Sequence, residues 1–330
     1  MTDQRGAVVA GVDAHTDEHH VAVVDLQGRL LGTAAFPTTA EGYTRLISWV
    51  LGQGTVDRVV EVNQPHPHAR QRLGKSDPLD AELAARAALS GTASALPKQT
   101  SGIVEAIRQL SVVRAGALKA RTAALQQLDD LIITAPEQLR GELRRGRTLK
   151  ARATLCLHLR PDTNRLHEPL QAGKLALRSL ARRVRELDRE MVELDHQLEQ
   201  LVAAAAPRTV QLFGVGTQSA SQLLITAGQN IDRLRSEAAF AKICGAAPIQ
   251  ASSGRTSRHR LDYAGDRQAN RALHMIAVCR LRYCQRTQTY AARRKTEGLN
   301  RREILRCLKR YIARETYHAL HADMKTLTTT

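Results

Sequence analysis

Aromatic residues are scarce, at 3% of the chain, with a single tryptophan at Trp49. Base stacking on aromatic rings is therefore excluded as the main mode of any nucleic-acid recognition. The five cysteines (Cys156, Cys244, Cys279, Cys284, Cys307) are odd in number and include no C-x-x-C pair. That excludes a disulfide framework and leaves buried reduced thiols as the expectation. No run of about eighteen apolar residues occurs, so no membrane span is expected. The N-terminus lacks a signal pattern and leads straight into a strand, which points to a cytoplasmic protein with no membrane partner. Acidic residues are also scarce where they would matter most. Residues 251–330 hold eighteen Lys/Arg against six Asp/Glu, a net of +12, within a chain of formal charge +17.

Charge is abundant but uneven. Residues 1–100 carry nine Lys/Arg and eleven Asp/Glu, a net of −2, and residues 101–250 carry twenty-two and fifteen, a net of +7. A basic composition shared by a whole proteome would not gather at one end. The asymmetry implies a polyanionic partner, most simply nucleic acid.

The spacing of apolar residues divides the chain into three parts: 1–100, 101–206 and 207–330. In the first, strands are expected at 7–13, 20–25, 30–36 and 58–62, with a turn at Gln27-Gly28. A helix opening near Thr39 precedes the last strand, and another helix covers 78–90. A meander of three strands, a helix and a return strand is how an RNase H-like α/β core begins. In that fold carboxylates at strand ends gather around divalent metal, so Asp13 at the end of the first strand is a candidate ligand. Its neighbours His15, Asp17, Glu18, His19 and His20 are assigned to a solvated loop and not to a metal.

Gly74-Lys75-Ser76-Asp77-Pro78-Leu79-Asp80-Ala81-Glu82 supports two readings. As a capping box, Asp77 is the N-cap, Pro78 the first helical residue and Asp80 the third. As chemistry, two carboxylates on one turn form a hard-oxygen corner suited to Mg²⁺. Both remain open from these residues alone.

Residues 101–206 are almost wholly helical by pattern. Leu177, Leu180, Val184, Leu187, Met191, Leu194, Leu198 and Leu201 keep an a/d seam for over three heptads, which predicts a coiled coil. Its partner is either the earlier helix near 103–133 or a second chain, and Pro161 to Pro169 marks the bend between the two arms. From Pro207 the chain is expected to be α-helical. Gly214 and Gly216 form a Gly-x-Gly turn with the look of a helix-hairpin-helix, able to offer backbone N–H groups to a phosphate, or else a plain turn between helices. Ser252-Ser253-Gly254 lies in a loop with Arg255, Arg258 and Arg260. It is either a flexible surface turn or a serine nucleophile flanked by phosphate-holding charge. Helices at 266–284 and 300–320 are expected to expose Arg267, Arg271, Arg280 and Arg282, and Arg301, Arg302, Arg306, Lys309, Arg310 and Arg314.

Three landmarks then fall in order: Asp13 in Gly11-Val12-Asp13-Ala14-His15, the Gly74–Glu82 stretch, and Ser252-Ser253-Gly254 before Gly265-Asp266-Arg267-Gln268-Ala269-Asn270-Arg271-Ala272-Leu273. Together, over about residues 7–320, they resemble the DEDD-type insertion-sequence transposases, the pilin-invertase-like family of guide-RNA-directed serine recombinases. The resemblance implies an RNase H-like domain with four acids (Asp, Glu, Asp, Asp) that hold Mg²⁺, a coiled-coil arm used in oligomerisation, and a C-terminal domain with a nucleophilic serine. It maps Asp13 to the first acid, Asp77 and Asp80 to the last two, and Ser253 to the nucleophile. It also implies DNA, as element ends and target, and a structured guide RNA as partners. The chain departs from the pattern at the second acid. Val59-Val60-Glu61-Val62-Asn63 runs directly into the basic connection, with a helix and a strand of the family missing. Glu61 matches a later strand's glutamate in register and would replace the second acid only by chance of position, so an internal deletion and an impaired copy are expected. A non-catalytic DNA- or RNA-binding derivative and a metal-dependent junction nuclease are the alternatives.

Overall fold

The apolar runs at the N-terminus form the sheet their alternation calls for. β1 (Ala7–Ala14), β2 (Glu18–Asp25) and β3 (Leu30–Pro37) make an antiparallel meander. Helix α1 (Ala40–Gln53), capped by the Thr39 hydroxyl accepting from the Gly42 N–H, then returns the chain to β4 (Thr55–Glu61). Strand β4 runs parallel to β1, giving the order β3-β2-β1-β4. The β2–β3 turn is set by Asp25, whose carboxylate accepts from the Gln27 and Arg29 N–H groups, and by Gly28 at φ 83°. One face of the sheet (Val8, Ala10, Val21, Val23) packs on Val50 of α1. The other (Val9, Val24) packs on Ala85 and Ala88 of α2 (Asp77–Leu89).

The computed structural model describes residues 6–61, 76–92, 98–252 and 259–329, apart from the side chains of 328 and 329. The chain divides into two units, Met1–Pro97 and Lys98–Thr330. The second unit holds two long helices, α3 (Gly102–Thr134) and α6 (Pro169–Ala205), that pair in antiparallel sense. Arg114 bridges to Asp195 and Arg121 to Asp188, a heptad further along one helix and a heptad back along the other. The partner of the α6 seam thus lies within the same chain. Leu177, Val184 and Leu198 of the seam are buried, whereas Leu187, Met191 and Leu194 between them are half-covered.

Each end of the helix pair has its own core. At the tip, α4 (Glu137–Arg144) and α5 (Leu149–Leu157) close over Leu128, Ile132 and Leu177. At the base, Ile107, Leu198 and Val202 join a larger core with Leu223, Leu224, Phe240, Leu273, Ile276 and Ile312. The base is built from α7 (Pro207–Val210), α8 (Thr217–Ala227), α9 (Glu237–Ile243), α10 (Arg267–Tyr283), α11 (Gln285–Thr296) and α12 (Arg301–Thr329). Between α9 and α10 lies a two-stranded hairpin of β5 (Ile249–Gln250) and β6 (His259–Arg260). Asp323 of α12 is buried and accepts from the Arg208 and Thr209 N–H groups and the Thr209 hydroxyl, which fixes the start of α7.

Three sequence expectations need correction. The N-cap of α2 is Ser76, not Asp77, and its side chain makes no capping bond. Pro78 is accommodated because the first-turn N–H groups of a helix lack intrahelical acceptors anyway. Asp77 therefore sits inside the first turn, its carboxylate not spent on a cap. The last helix runs on to Thr329, past the expected end at 320. Strand β4 begins three residues earlier than expected, at Thr55.

Candidate functional site

The carboxylates in the first unit are brought together by a close helix–strand approach. A Cβ on Gly11 would meet the Ala81 carbonyl oxygen at 2.1 Å and the Ala85 nitrogen at 2.2 Å. Only glycine on the strand and alanines along α2 (Ala81, Ala84, Ala85, Ala88) allow the backbones that close. Seated there, α2 brings its N-terminal turn to the C-terminal end of β1. Asp13 and Asp77 meet at that corner.

A third residue joins them. His15 Nε2 lies 3.1 Å from Asp13 Oδ2 and 3.4 Å from Asp77 Oδ1. The ligand atoms of Asp13, His15 and Asp77 all fall within 4.8 Å of one another. His20 faces Asp13 across the β1–β2 ladder, and its Nε2 is 3.7 Å from Asp77 Oδ2. His15 is exposed in the β1–β2 loop, as expected, yet its Nε2 faces both carboxylates, whereas His20 lies on β2 and not in the loop. Local sequence places His15 in that loop two residues beyond Asp13, but does not say which way its ring turns. The register that brings in His20, seven residues from Asp13, is set by the β1–β2 turn.

Asp80, one turn along α2, is only 4% exposed and falls outside this trio. Glu61 is placed still less favourably. It pairs in register with Val12, while Val60 pairs with Gly11. Val12 packs with the α1-side cluster and Val60 with the α2-side cluster. By strand alternation Glu61 shares the α1 face and Asp13 the opposite one. The donor set at the corner, two carboxylates and an imidazole, fits a divalent cation. The carboxylates suit Mg²⁺, and the imidazole suits Mn²⁺ or Zn²⁺ better.

In the second unit, Ser253, Arg255 and Arg258 lie outside the described residues, as does the basic connection before Ser76. Gly214 and Gly216 join the single-turn α7 to α8. Gly214 sits at φ 80° with Cys279 and Arg280 of α10 behind it, and Gly216 is the exposed N-cap of α8. Arg260, Arg267 and Arg271 are exposed. Arg280 is not. Its Nε donates to the Phe213 carbonyl at 2.7 Å and its Nη1 pairs with Glu315, so it braces the glycine turn and does not track phosphates. Arg310 and Arg314 both pair with Glu237, and Lys309 is buried, so the expected basic face of the last helix is thinner than its sequence suggests.

The segment from Gly265 to Leu273 has a structural explanation. A Cβ on Gly265 would lie 2.2 Å from the Gly245 nitrogen. Asp266 caps α10 by accepting from the Gln268 and Ala269 N–H groups. Asn270 donates its amide to the Cys244 and Gly245 carbonyls at 3.0 and 2.7 Å, and its Oδ1 accepts from Lys309 at 2.8 Å. Neither Asn270 nor the buried state of Lys309 was singled out in the sequence.

Residues 208–292 match the family model described as Transposase IS116/IS110/IS902 family. No curated protein matches the chain. The matched stretch runs from α7 into α11 and supports an insertion-sequence transposase, an enzyme that acts on DNA. No helix among the described residues is long and apolar enough to cross a membrane.

Proposed function

We propose that the chain is an insertion-sequence recombinase that cleaves and rejoins DNA through Ser253, assisted by a divalent cation at the Asp13–Asp77 corner. The observation that carries this reading is the family match over 208–292, which spans the Ser253 segment and the Gly265–Leu273 landmark. The carboxylate corner adds support from outside the matched residues. The strand order and the helix-and-return connection of the first unit are compatible with an RNase H-like domain.

In this reading Asp13 and Asp77, with His15 beside them, hold the ion, for which we expect Mg²⁺, and Asp80 stands behind them. A bound ion there would supply Lewis-acid stabilisation of charge on the scissile phosphate. The chain's own part is to fix the carboxylates, through Gly11 and the alanine face of α2, and to provide the nucleophile. Ser253 Oγ forms a bond to phosphorus, one bridging P–O bond breaks, and the departing oxygen leaves with a proton. The phosphoserine link conserves the bond energy, so strands can be exchanged without hydrolysis. Arg255, Arg258, Arg260, Arg267 and Arg271 hold phosphates, as does the Gly214–Gly216 turn at the start of α8. Partners are the element ends and target DNA, a structured guide RNA, and a second copy. Exposed Val112, Val113 and Val192 on the helix pair support the last of these.

One observation favours a second reading, a derivative that binds nucleic acid without cutting it. Glu61 sits on the wrong face to serve as the missing acid, which leaves the corner one carboxylate short. Incubation of wild type and Ser253→Ala with element-end DNA, guide RNA and Mg²⁺ separates these readings. The recombinase gives a denaturant-stable protein–DNA adduct in wild type only, with duplex affinity kept in the variant. Binding without cleavage in both supports the derivative, and cleavage that survives Ser253→Ala supports a junction nuclease.

A further inference from the structure

Beside the stem of the β5–β6 hairpin, the second unit holds a cavity of about 580 Å³. Most of the charge around it is positive, and most of that is already paired. Arg310 bridges to Glu237, and Arg293 and Arg294 to Glu297. Arg306 reaches Glu303 only at 3.9 Å, and the Asp262 carboxylate accepts from the Ala264 N–H. Lys309 differs from all of these. It is 6% exposed and lines the cavity, yet no carboxylate among the described residues pairs with it. Its ammonium has three N–H groups, and the structure gives it one acceptor, Asn270 Oδ1. That acceptor cannot turn away, because the Asn270 amide is committed to two backbone carbonyls. The connection 251–258 between the two strands contains no Asp or Glu, so no counter-charge comes from there. Burial, then the neighbouring Arg306, pushes the Lys309 ammonium below its ordinary range. A second donor on the cavity wall, Arg294 Nε, is buried without an acceptor among the described residues.

A buried cation without a partner is costly, and so is a buried donor left unmade. A ligand that supplies an anionic acceptor here would remove both costs. The cavity is far larger than a lone phosphate needs, so the anion arrives attached to something else. Two tyrosines on the same wall say what. Tyr290 and Tyr311 meet edge to face at 5.7 Å, and Tyr311 is 57% exposed, leaving an aromatic surface beside the cations.

We propose that this cavity is a nucleotide site, in which a phosphate of a nucleic-acid strand pairs with Lys309 and Arg306 while the attached nucleoside lies along Tyr311. Asn270 is the positioning residue that aims Lys309. The proposal rests on the reading that the chain works on nucleic acid. A free nucleotide has the same chemistry, so the test includes both.

The test uses the full-length chain and thymidine 3′,5′-bisphosphate as the probe, with inorganic phosphate beside it, followed by titration calorimetry at fixed ionic strength. Wild type is expected to bind the bisphosphate more tightly than inorganic phosphate. Lys309→Met is expected to weaken the bisphosphate about ten- to a hundredfold, the loss that goes with one charge-assisted hydrogen bond. Arg306→Gln, at a half-exposed position that should tolerate it, should weaken binding in the same direction, and Tyr311→Ala should erase the advantage over inorganic phosphate. Arg182→Gln, on an exposed position of α6 away from the cavity, should change neither. A wild type that binds neither probe, or a Lys309→Met and an Arg306→Gln that bind as wild type does, overturns the proposal. A parallel titration with duplex and single-stranded DNA over a range of salt keeps the two claims apart. Salt-sensitive DNA binding without bisphosphate binding removes the cavity and leaves the recombinase reading. Bisphosphate binding through Lys309 without any DNA binding keeps the cavity as a free-nucleotide site and removes that reading.

Discussion

Charge is concentrated at two places in this molecule, and the two are balanced in opposite ways. At the β1–α2 corner, Asp13 and Asp77 are met by His15 and His20, so the carboxylates already have donors within reach. In the base of the second unit, Lys309 is deeper than any of these and, among the described residues, is answered only by the dipole of an amide. Coulomb attraction is worth more where water is excluded, but so is the cost of a missing partner. The corner can therefore stand alone as a folded feature and needs a ligand only for chemistry. The Lys309 cavity is incomplete as it stands.

The strongest way to break this comparison is to remove the corner mechanically. Gly11→Ala inserts a methyl group 2.1 Å from a backbone oxygen, which no rotamer change relieves. Helix α2 must move, at a cost of about 3 kcal/mol or more. Hydrogen exchange of the full chain should show loss of protection across 77–89 and β1, with the second unit unaffected. Normal protection in the variant would mean that α2 and β1 are not held as closely as described.

A smaller but more specific change leaves the packing alone. Asp13→Asn and Asp77→Asn keep shape and remove charge, and each should lower strand cleavage about a hundredfold or more if the corner holds the ion. Chelation should act like either substitution, and Mn²⁺ should restore activity at least as well as Mg²⁺ because His15 adds a nitrogen donor. His15→Ala should then shift the preference towards Mg²⁺. Cleavage unaffected by either asparagine would remove the corner from the mechanism.

How far the corner could be foreseen depended on the range of the interactions that build it. Asp13 and Asp77 were legible because strand ends and helix starts are written in local sequence. His15 lies just past the end of β1, where the turn of the loop and not a strand period sets its direction. His20 depends on the register of the β1–β2 hairpin, and the face of Glu61 on register between β1 and β4, strands far apart in the chain; residue types alone encode neither. The capping error at Ser76 has a local cause: Ser and Asp are comparable N-caps, and neighbouring candidates differ by less than the tertiary seat of α2 decides. The helix pair was legible from its heptads, though not its partner. Lys309 and Arg280 were misjudged for one shared reason. A basic residue on an amphipathic helix looks solvated in sequence, and only the packing of α12 and the glycine turn shows which cations are enclosed.

The subtlest effect, and the one that bears most directly on the missing counter-charge, is a pH dependence. The Lys309 ammonium is held below its ordinary value of 10.5 by burial and by Arg306. A lysine whose folded pKa lies below its unfolded one costs stability while the folded state must carry the proton. That cost is relieved as pH rises through the folded value and is gone by the unfolded value. In chloride, then, wild type should gain melting temperature relative to Lys309→Met as pH rises from neutral towards 10.5. Other titrating groups are common to both proteins, and His274, which burial and then Lys309 hold below its ordinary 6.5, titrates below this pH range. With the bisphosphate bound, the ammonium has its counter-ion and the pH trend in that difference should flatten or reverse. A difference that is flat in chloride would mean Lys309 already has a partner, and the contrast between the two sites would disappear with it.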